Sequence, residues 1–565
     1  MVTTRIETVA KACTSANVSG DYVYKIEPLG EKDAKKLFVS RVFGSNSKES
    51  LSVEFVHSAS SSKELCCLKE LMDSILKKCA GLPLAIVSIA GLLSSYRSSS
   101  SGSIRMWQRI SNSIGSQMEI YPTLEEMKQI IALSYSHLPY HLKACMLYLS
   151  IFPEDYVIKK KRLLLRWIAE GFVIGKRGLT MFEVAESYYD ELISRSLIDA
   201  DRIRLDGAVK AVKVHDMMLE VIVSKSLEEN YVSFVGAQYG GGTPSYDSVR
   251  RLAIHGDGAP KHVVDMMSAT HVRSLCTFGR QGNIAVLDRL AEFTLLKVLD
   301  LEDCKEVKDC HVKYICRLFL LRFLSLRNTN VRTIPSQISR LKHLQTLNLY
   351  RTRIKKLPTS VTTLERLEYL FFSHRWWRRA WEIPLGLENM MALRTLRAIR
   401  LPNDPNVVKE IGALAQLQIL EIIIDNSNEE VLTNLADALD NTNNLRSLYV
   451  SDGGKDKLKN KLLNFLLRLK TPPLLLESMM IGGGGMDELP KWFSSLVHLV
   501  KIETRLVSLT GDQLLGGLCE LPNLASVYLG FGSCTDDELL VLSAFKFPAL
   551  KLLCGPSHFA ENYPI

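Results

Sequence analysis

The sequence predicts a multidomain chain of α plus α/β class, a helical N-terminal half followed by a parallel-sheet solenoid. Three observations carry this. From about Val249 onward the pattern L-x-x-L-x-L recurs every two dozen residues. Leu321–Leu326, Leu344–Leu349 and Leu367–Phe372 are successive cases, with first leucines 23 residues apart. A repeat of that length is the signature of a leucine-rich solenoid, each unit burying its leucines against its neighbours. Residues 1–248 show helical spacing instead, as in Met127–Leu133 and Lys161–Phe172. Gly240-Gly241-Gly242-Thr243-Pro244 punctuates the junction between the two halves.

The repeats are counted by their first apolar position: Val249, Val272, Leu296, Leu321, Leu344, Leu367, Leu393, Leu417, Leu445, Leu476, Leu499, Leu524 and Leu550. The gaps widen to 28 and 31 residues around Leu445 and then settle. Polar or aromatic residues stand between the leucines, the pattern of a strand buried on one side. Ile334-Pro335, Leu357-Pro358, Ile383-Pro384 and Leu489-Pro490 recur at the descending turn, where proline should end the strand's hydrogen bonding. Gly482–Gly485 reads as a loop inside the solenoid.

In the N-terminal half, Ser58–Ser62 and Ser98–Ser103 read as loops. The most apolar run, Cys79–Leu93, falls short of the roughly 20 residues of a membrane span and contains Pro83. A buried helix is expected there, and no integral membrane segment. The boundaries expected are 1–24, a helical domain over 25–115, a winged helix over 116–238, a linker over 239–248 and repeats over 249–565.

Of 565 residues 47% are hydrophobic and 23% charged, ordinary for a folded protein. The net charge of +9 alone selects no partner. The twelve cysteines form no paired framework, and Asn17-Val18-Ser19 is the only glycosylation sequon. Reduced thiols and an intracellular, cytoplasmic location follow. Met1–Arg5 shows no secretory signal. Cys304, Cys310 and Cys316 are evenly spaced around His311, but the gaps fit zinc spacings poorly and Cys304 fills the Asn/Cys position of its repeat. No metal site and no catalytic residue is assigned.

Four short motifs are bland singly. Gly81-Leu82-Pro83-Leu84-Ala85 is a helix start with proline in its first turn. Leu149–Tyr156 is a helix, a break at Pro153, and an acidic start at Glu154 and Asp155 for the next helix. Val214-His215-Asp216 precedes a helix that Asp216 can cap. Val2-Thr3-Thr4-Arg5 ends a strand. In this order, ahead of leucine repeats, they resemble the "TTR", "GLPLA", "SIFPEDY" and "MHD" motifs of the plant nucleotide-binding leucine-rich-repeat disease-resistance proteins, coiled-coil branch. The resemblance covers essentially the whole chain. It implies a helical bundle and winged-helix remnant of an NB-ARC module followed by a leucine-rich repeat solenoid.

In that family the sensor arginine, the GLPL proline and the MHD histidine line a bound ADP. Carried over, these are Arg5, Pro83 and His215. Intact members exchange ADP for ATP when the repeats recognise a pathogen effector directly or through a guarded host protein. This sequence departs from the family pattern. It has no G-x-x-x-x-G-K-[ST] to cradle phosphates, residue 214 is Val rather than Met, and Met1-Val2 correspond to the end of the nucleotide-binding sheet, as expected of an N-terminally truncated member. ADP or ATP binding is therefore expected to be weak or absent, and no hydrolysis is expected.

From Arg317 to Ala380 fourteen Lys/Arg face only Glu365 and Glu368, a local balance of +12. Arg322, Arg327 and Arg351 belong to this face. Arg322 and Arg327 flank strand leucines and are expected on the concave side, holding residues 116–238 in an intramolecular contact between the repeats and the winged helix. Trp376, Trp377 and Arg378 interrupt the repeat with residue types common at interface hot spots, or plug the solenoid edge. Lys159–Arg162 is expected to be a solvated helix start, and no nucleic acid partner is expected because no binding motif accompanies the charge. The function expected is recognition and autoinhibition in an immune receptor. A nucleotide-independent decoy or adaptor is the alternative. A ubiquitin-ligase substrate receptor lacks any F-box-like segment.

Overall fold

The computed structural model describes residues 28–43, 62–79, 81–94, 100–113, 131–203, 208–235, 249–256, 261–266, 268–279, 284–372, 381–382, 385–425, 428–452, 462–482, 486, 488–505, 511–530 and 547–554. Two compact units are present. One comprises residues 1–143, 190–199 and 215–221, the other 144–189, 200–214 and 222–565. Arg5, the Gly240–Pro244 linker and the Trp376–Arg378 cluster lie outside the described residues.

In the first unit, α1 (Glu31–Phe43), α2 (Ser62–Cys79), α3 (Pro83–Ser94) and α4 (Ser100–Ser113) form a small bundle. Phe38, Ile75, Ile86, Ile89, Leu93, Trp107 and Ile110 make its core. Phe38 meets Trp107 edge to face at 5.8 Å between centroids. The apolar run around Pro83 is α3, buried on most of its circumference, which explains why it is hydrophobic all round. Gly81 adopts φ 72°, and a Cβ there would collide with the carbonyl oxygen of Leu29. Only glycine fits that turn.

The winged helix comprises α5 (Tyr140–Tyr148), β1 (Ile158–Lys159), α6 (Lys160–Glu170), α7 (Met181–Ser194), β2 (Asp199–Ile203), β3 (Val209–Lys213) and α8 (Asp216–Glu228). Its strands run in the order β1-β3-β2, with Ile158 opposite Val212 in an antiparallel pair. Thr180 and Glu183 exchange hydrogen bonds of 2.8 and 3.2 Å as a capping box for α7. Gly171, at φ 88°, ends α6. Glu154 and Asp155 do not start a helix as the sequence suggests. Asp155 takes φ 58° in a turn, β1 intervenes, and α6 begins at Lys160.

The solenoid is one parallel sheet running from β4 (Ser233–Val235) to β18 (Leu552–Cys554). Every counted repeat position stands two residues before a strand: β5 (Arg251–His255), β6 (Ser274–Phe278), β7 (Val298–Asp300), β8 (Phe323–Ser325), β9 (Thr346–Asn348), β10 (Tyr369–Phe371), β12 (Thr395–Arg400), β13 (Ile419–Ile424), β14 (Ser447–Asp452), β15 (Ser478–Gly482), β16 (Lys501–Arg505), β17 (Ser526–Leu529) and β18. β11 (Trp381–Glu382) pairs with β12 beside the main ladder. The sheet thus begins at β4, which pairs with β5 and falls within the segment read as winged helix. The widened gaps hold a longer convex side, the helix Glu429–Asp440 and the 3-10 turn Leu462–Arg468.

Pro335, Pro358 and Pro490 do not end strands. Each stands directly before a 3-10 turn of the convex side, where a missing N–H costs nothing. Cys304, Thr329 and Thr352 are buried at the same repeat position, and the two threonine hydroxyls donate to Leu326 and Leu349 carbonyls at 2.7 and 2.8 Å. Cys316 is also buried while Cys310 is exposed, so packing in the leucine core accounts for two of the three cysteines.

Leu324, Leu347 and Leu370 stack in register through β8, β9 and β10. Leu347 is wholly buried. Leu347→Ala is expected to cost about 2–5 kcal/mol, the usual range for an unfilled core cavity. Urea unfolding checks this, and a midpoint equal to wild type would contradict the ladder.

Candidate functional site

In a bare solenoid the residues between strand leucines face solvent on the concave side. Here they do not in the first repeats. Cys276, Val298, Asp300, Phe323 and Ser325 are buried, because α6 and the segment Tyr148–Tyr156 of the winged helix, which belong to the same compact unit, lie on them.

The seam is built from α6. Arg162 and Arg166, one helical turn apart, point from one face. Arg162 Nε donates to Asp300 Oδ2 at 2.7 Å and lies 3.2 Å from Glu302 Oε2. One of its terminal nitrogens donates to the Tyr156 hydroxyl at 2.6 Å. Arg166 donates to Tyr148 Oη at 2.8 Å, to Asp300 Oδ2 at 3.2 Å and to Cys276 Sγ at 2.8 Å. Its guanidinium also stacks over Phe152 and Tyr148, 4.8 and 5.0 Å from the ring centroids. Asp300 and Arg166 have no exposed surface. Burial pushes the Asp300 carboxyl up, but Arg162 and Arg166 outweigh it and hold the group below the usual carboxylate range. Burial lifts the Cys276 thiol to about 11, so it stays protonated beside Arg166.

Aromatic contacts extend the seam. Phe278 meets Phe152 and Tyr156 edge to face at 5.4 and 5.3 Å. His255 Nε2 donates to the Ile151 carbonyl at 2.8 Å, and burial lowers its pKa so that the ring stays neutral. Arg251 bonds Glu170 at 3.1 Å and stacks over Tyr231 at 4.1 Å. Lys161 Nζ sits 5.4 Å from the Tyr369 centroid and 4.7 Å from that of Phe371. Burial, with Arg397 as a second cause, brings its pKa down to about 7.

The charges are therefore the reverse of the expected ones. Acids of the repeats, Asp300 and Glu302, receive arginines of the winged helix. Arg327 is half-buried in an ion pair with Glu302, and its charge also reaches Lys159 of the winged helix as a like charge that helps lower that lysine's pKa. Arg322, one residue after its first leucine, sits at the strand's edge. Arg351 is exposed with φ 60° and stacks beside Tyr350 at 5.5 Å. Lys159–Arg162 is no solvated helix start: Arg162 is buried and Lys161 half-buried against aromatic rings. Sequence reasoning missed Arg162, Arg166, Asp300 and Glu302. The available signal was the small or apolar residues at concave positions of early repeats, broken by one acid pair.

Of the nucleotide candidates, Pro83 is exposed at the start of α3 and His215 is exposed immediately before α8. His215 itself caps α8, since Nδ1 accepts from the Met217 amide at 3.3 Å. That leaves the ring proton on Nε2 of an exposed imidazole.

Of the later concave positions, Glu421, Tyr449, Met480 and Tyr528 are half-buried and Glu503 is buried. Glu421, Tyr449, Met480, Glu503 and Tyr528 align across β13 to β17 by strand register. Arg397 lies over Tyr449 at 5.4 Å and Lys501 over Tyr528 at 4.7 Å. Among the described residues no helix is long and apolar enough to cross a membrane.

A winged helix seated on the inner face of a leucine-rich solenoid is the class of protein these features define. Residues 271–560 match the family model of a leucine-rich repeat region, and residues 151–222 that of the disease resistance protein winged helix domain. The disease resistance protein Pik-2 of Oryza sativa subsp. japonica is 30% identical over 98% of this chain and 57% of its own length. The disease resistance protein RGA5 of the same organism is 32% identical over 97% of this chain and 48% of its own. The chain belongs to the plant nucleotide-binding leucine-rich-repeat disease-resistance proteins. It spans about half the length of the curated relatives it matches. A solved leucine-rich-repeat protein of Leptospira interrogans is 22% identical with a TM-score of 0.37, covering 54% of this chain and 72% of that one.

Proposed function

We propose that this chain is the sensing and restraining part of an intracellular, cytoplasmic plant immune receptor, a recognition protein and not an enzyme. The observation that carries the reading is the division of the concave face. Early repeats are filled by the winged helix through Arg162, Arg166 and Asp300, while Glu421, Tyr449, Met480 and Tyr528 of the later row keep partial access. The later row takes a pathogen effector or a guarded host protein, with Tyr449 and Tyr528 as its aromatic anchors. The early repeats hold the winged helix at rest.

Pro83 and His215 are the positions at which the family's ADP would be held. The exposed proline ring can lie against adenine, and the His215 Nε2–H can donate to a phosphate oxygen. The sequence carries no G-x-x-x-x-G-K-[ST] to grip the phosphates of such a nucleotide. ADP is expected to bind weakly or not at all, and calorimetry returning micromolar affinity would contradict that.

The recognition claim is tested by capture from infected leaf extract. Wild-type protein is expected to retain a partner that the doubly substituted Tyr449→Ala, Tyr528→Ala protein loses by about tenfold or more, on the scale of hot-spot truncation. Equal capture by both proteins sinks the assignment.

A further inference from the structure

On the first four repeats, the residue after the first leucine-type position is Arg250, Arg273, Lys297 and Arg322 in turn. These four stack directly. Arg273 N donates to Arg250 O at 2.7 Å, Lys297 N to Arg273 O at 2.7 Å, and Arg322 N to Lys297 O at 2.8 Å. Neighbouring strands lie about 4.8 Å apart, so like charges repeat at that spacing along one edge of the sheet. Burial, then Arg322 and Arg273, lower the pKa of Lys297 and outweigh the opposing charge of Glu170, so repulsion along the column is felt.

Later repeats supply an internal comparison. At the same register Arg394 pairs with Glu368 at 3.0 Å and Arg446 with Glu477 at 3.4 Å. There the column sets an acid on the neighbouring repeat beside each arginine. In the first four repeats it does not, and among the described residues none of the four cations has a carboxylate within ion-pair distance. Arg250 and Arg273 are exposed, and Lys297 and Arg322 are half-buried.

The turns that enter the same strands carry apolar tips. Leu295, Phe319 and Leu320 are 38%, 55% and 39% exposed. They stand one or two residues before the first leucine, on the same edge as the cations. Equivalent turn positions touch between neighbouring repeats, as Arg366 and His343 do at 3.1 Å. Arg317, Arg340 and Lys342 add exposed charge along these turns.

We propose that this edge, Arg250, Arg273, Lys297 and Arg322 beside Leu295, Phe319 and Leu320, docks on an anionic lipid bilayer surface. Headgroup phosphates and carboxylates neutralise the cation column, which has no carboxylate within ion-pair distance among the described residues. The leucine and phenylalanine tips enter the boundary between headgroups and acyl chains. A free inorganic anion leaves the tips unexplained. The line of tips follows the solenoid edge rather than converging on a pocket, the geometry suited to a flat partner.

The test uses the full chain and co-sedimentation with phosphatidylcholine vesicles, with and without phosphatidylserine. Wild-type protein is expected to bind only the anionic vesicles, less so as salt rises. The pair R250E and R273E together should lower binding at least about tenfold. The pair K176E and R177E, exposed cations of the winged helix, makes the same change in net charge and should leave binding near wild type. Phe319→Ser with Leu320→Ser should weaken binding while leaving its salt dependence in place. All the substituted side chains are exposed, and circular dichroism confirms folding. Equal binding to uncharged vesicles overturns the proposal, as do equal losses from the two charge-reversal pairs. Retention on poly-glutamate without vesicle binding also overturns it, and assigns the edge to an acidic protein.

Discussion

Asp300→Ala is expected to destabilise the unit formed by the winged helix and repeats by about 3–5 kcal/mol, because it strands two buried guanidiniums. Arg162 and Arg166 both end on Asp300 Oδ2, and that side chain has no exposed surface. Glu302 offsets part of the loss at Arg162, while Arg166 keeps only the Tyr148 hydroxyl and the Cys276 sulfur. Amide exchange across α6 and β7 should accelerate together in this variant, since both lose the same partner. A second protein separates the cost of broken charge from a requirement for charge. Replacing Arg162 and Arg166 by Met and Asp300 by Leu removes the network whole, and such swaps are often neutral or stabilising by about 1–4 kcal/mol. An Asp300→Ala protein that unfolds at the wild-type urea concentration would show that the ion network contributes nothing net.

The second large effect concerns pH. Lys161 has its pKa brought down to about 7 by burial beside Tyr369 and Phe371. An unfolded lysine keeps its proton to about pH 10.4. Between these values the unfolded chain binds more protons than the folded one, so stability rises with pH across that window and is flat below it. A lowering of this size sets an upper bound of about 4–5 kcal/mol. The two ring faces return about 2 kcal/mol to the charged form, leaving about 2–3 kcal/mol as the expected gain. Lys161→Met should abolish this component and raise stability at neutral pH. Urea midpoints of both proteins from pH 7 to about pH 10 provide the measurement, and parallel curves would exclude Lys161 as the source. Lys159, brought down to about 8 by burial and then by Arg327, shifts the same way and remains in both proteins.

Local sequence was informative wherever one residue had one local task. The leucine spacing locates the strands from β5 to β18, apart from the side strand β11, because a buried leucine at fixed period has no other place in a parallel stack. The apolar run after Gly81 became α3, and the glycine was required by a left-handed turn against Leu29. His215 was legible as a residue at a helix start, and its own ring accepts from the Met217 amide there. Proline positions were legible as turns but misassigned, since a missing N–H suits a helix start as well as a strand end.

The seam was not legible for a physical reason. Its partners lie more than a hundred residues apart in sequence, as Arg162 and Asp300 do. A charge count cannot say which charges face inward. The sequence showed a net basic stretch after Arg317, and complementarity then suggested that those cations face the winged helix. The fold instead set two carboxylates of β7 and its following turn against two guanidiniums of α6. Arg327 supports Glu302, and Arg322 stands at the edge in the unpaired column.

By itself the sequence determined the helical half, the solenoid, its strand positions and the family, because periodicity and short motifs are local properties of the chain. Only the tertiary structure decided that the winged helix fills the early concave face and that its arginines meet buried acids. Only stacking revealed that Arg250, Arg273, Lys297 and Arg322 form one column. Each depends on distant residues brought within a few ångströms, where burial and Coulomb attraction decide the outcome.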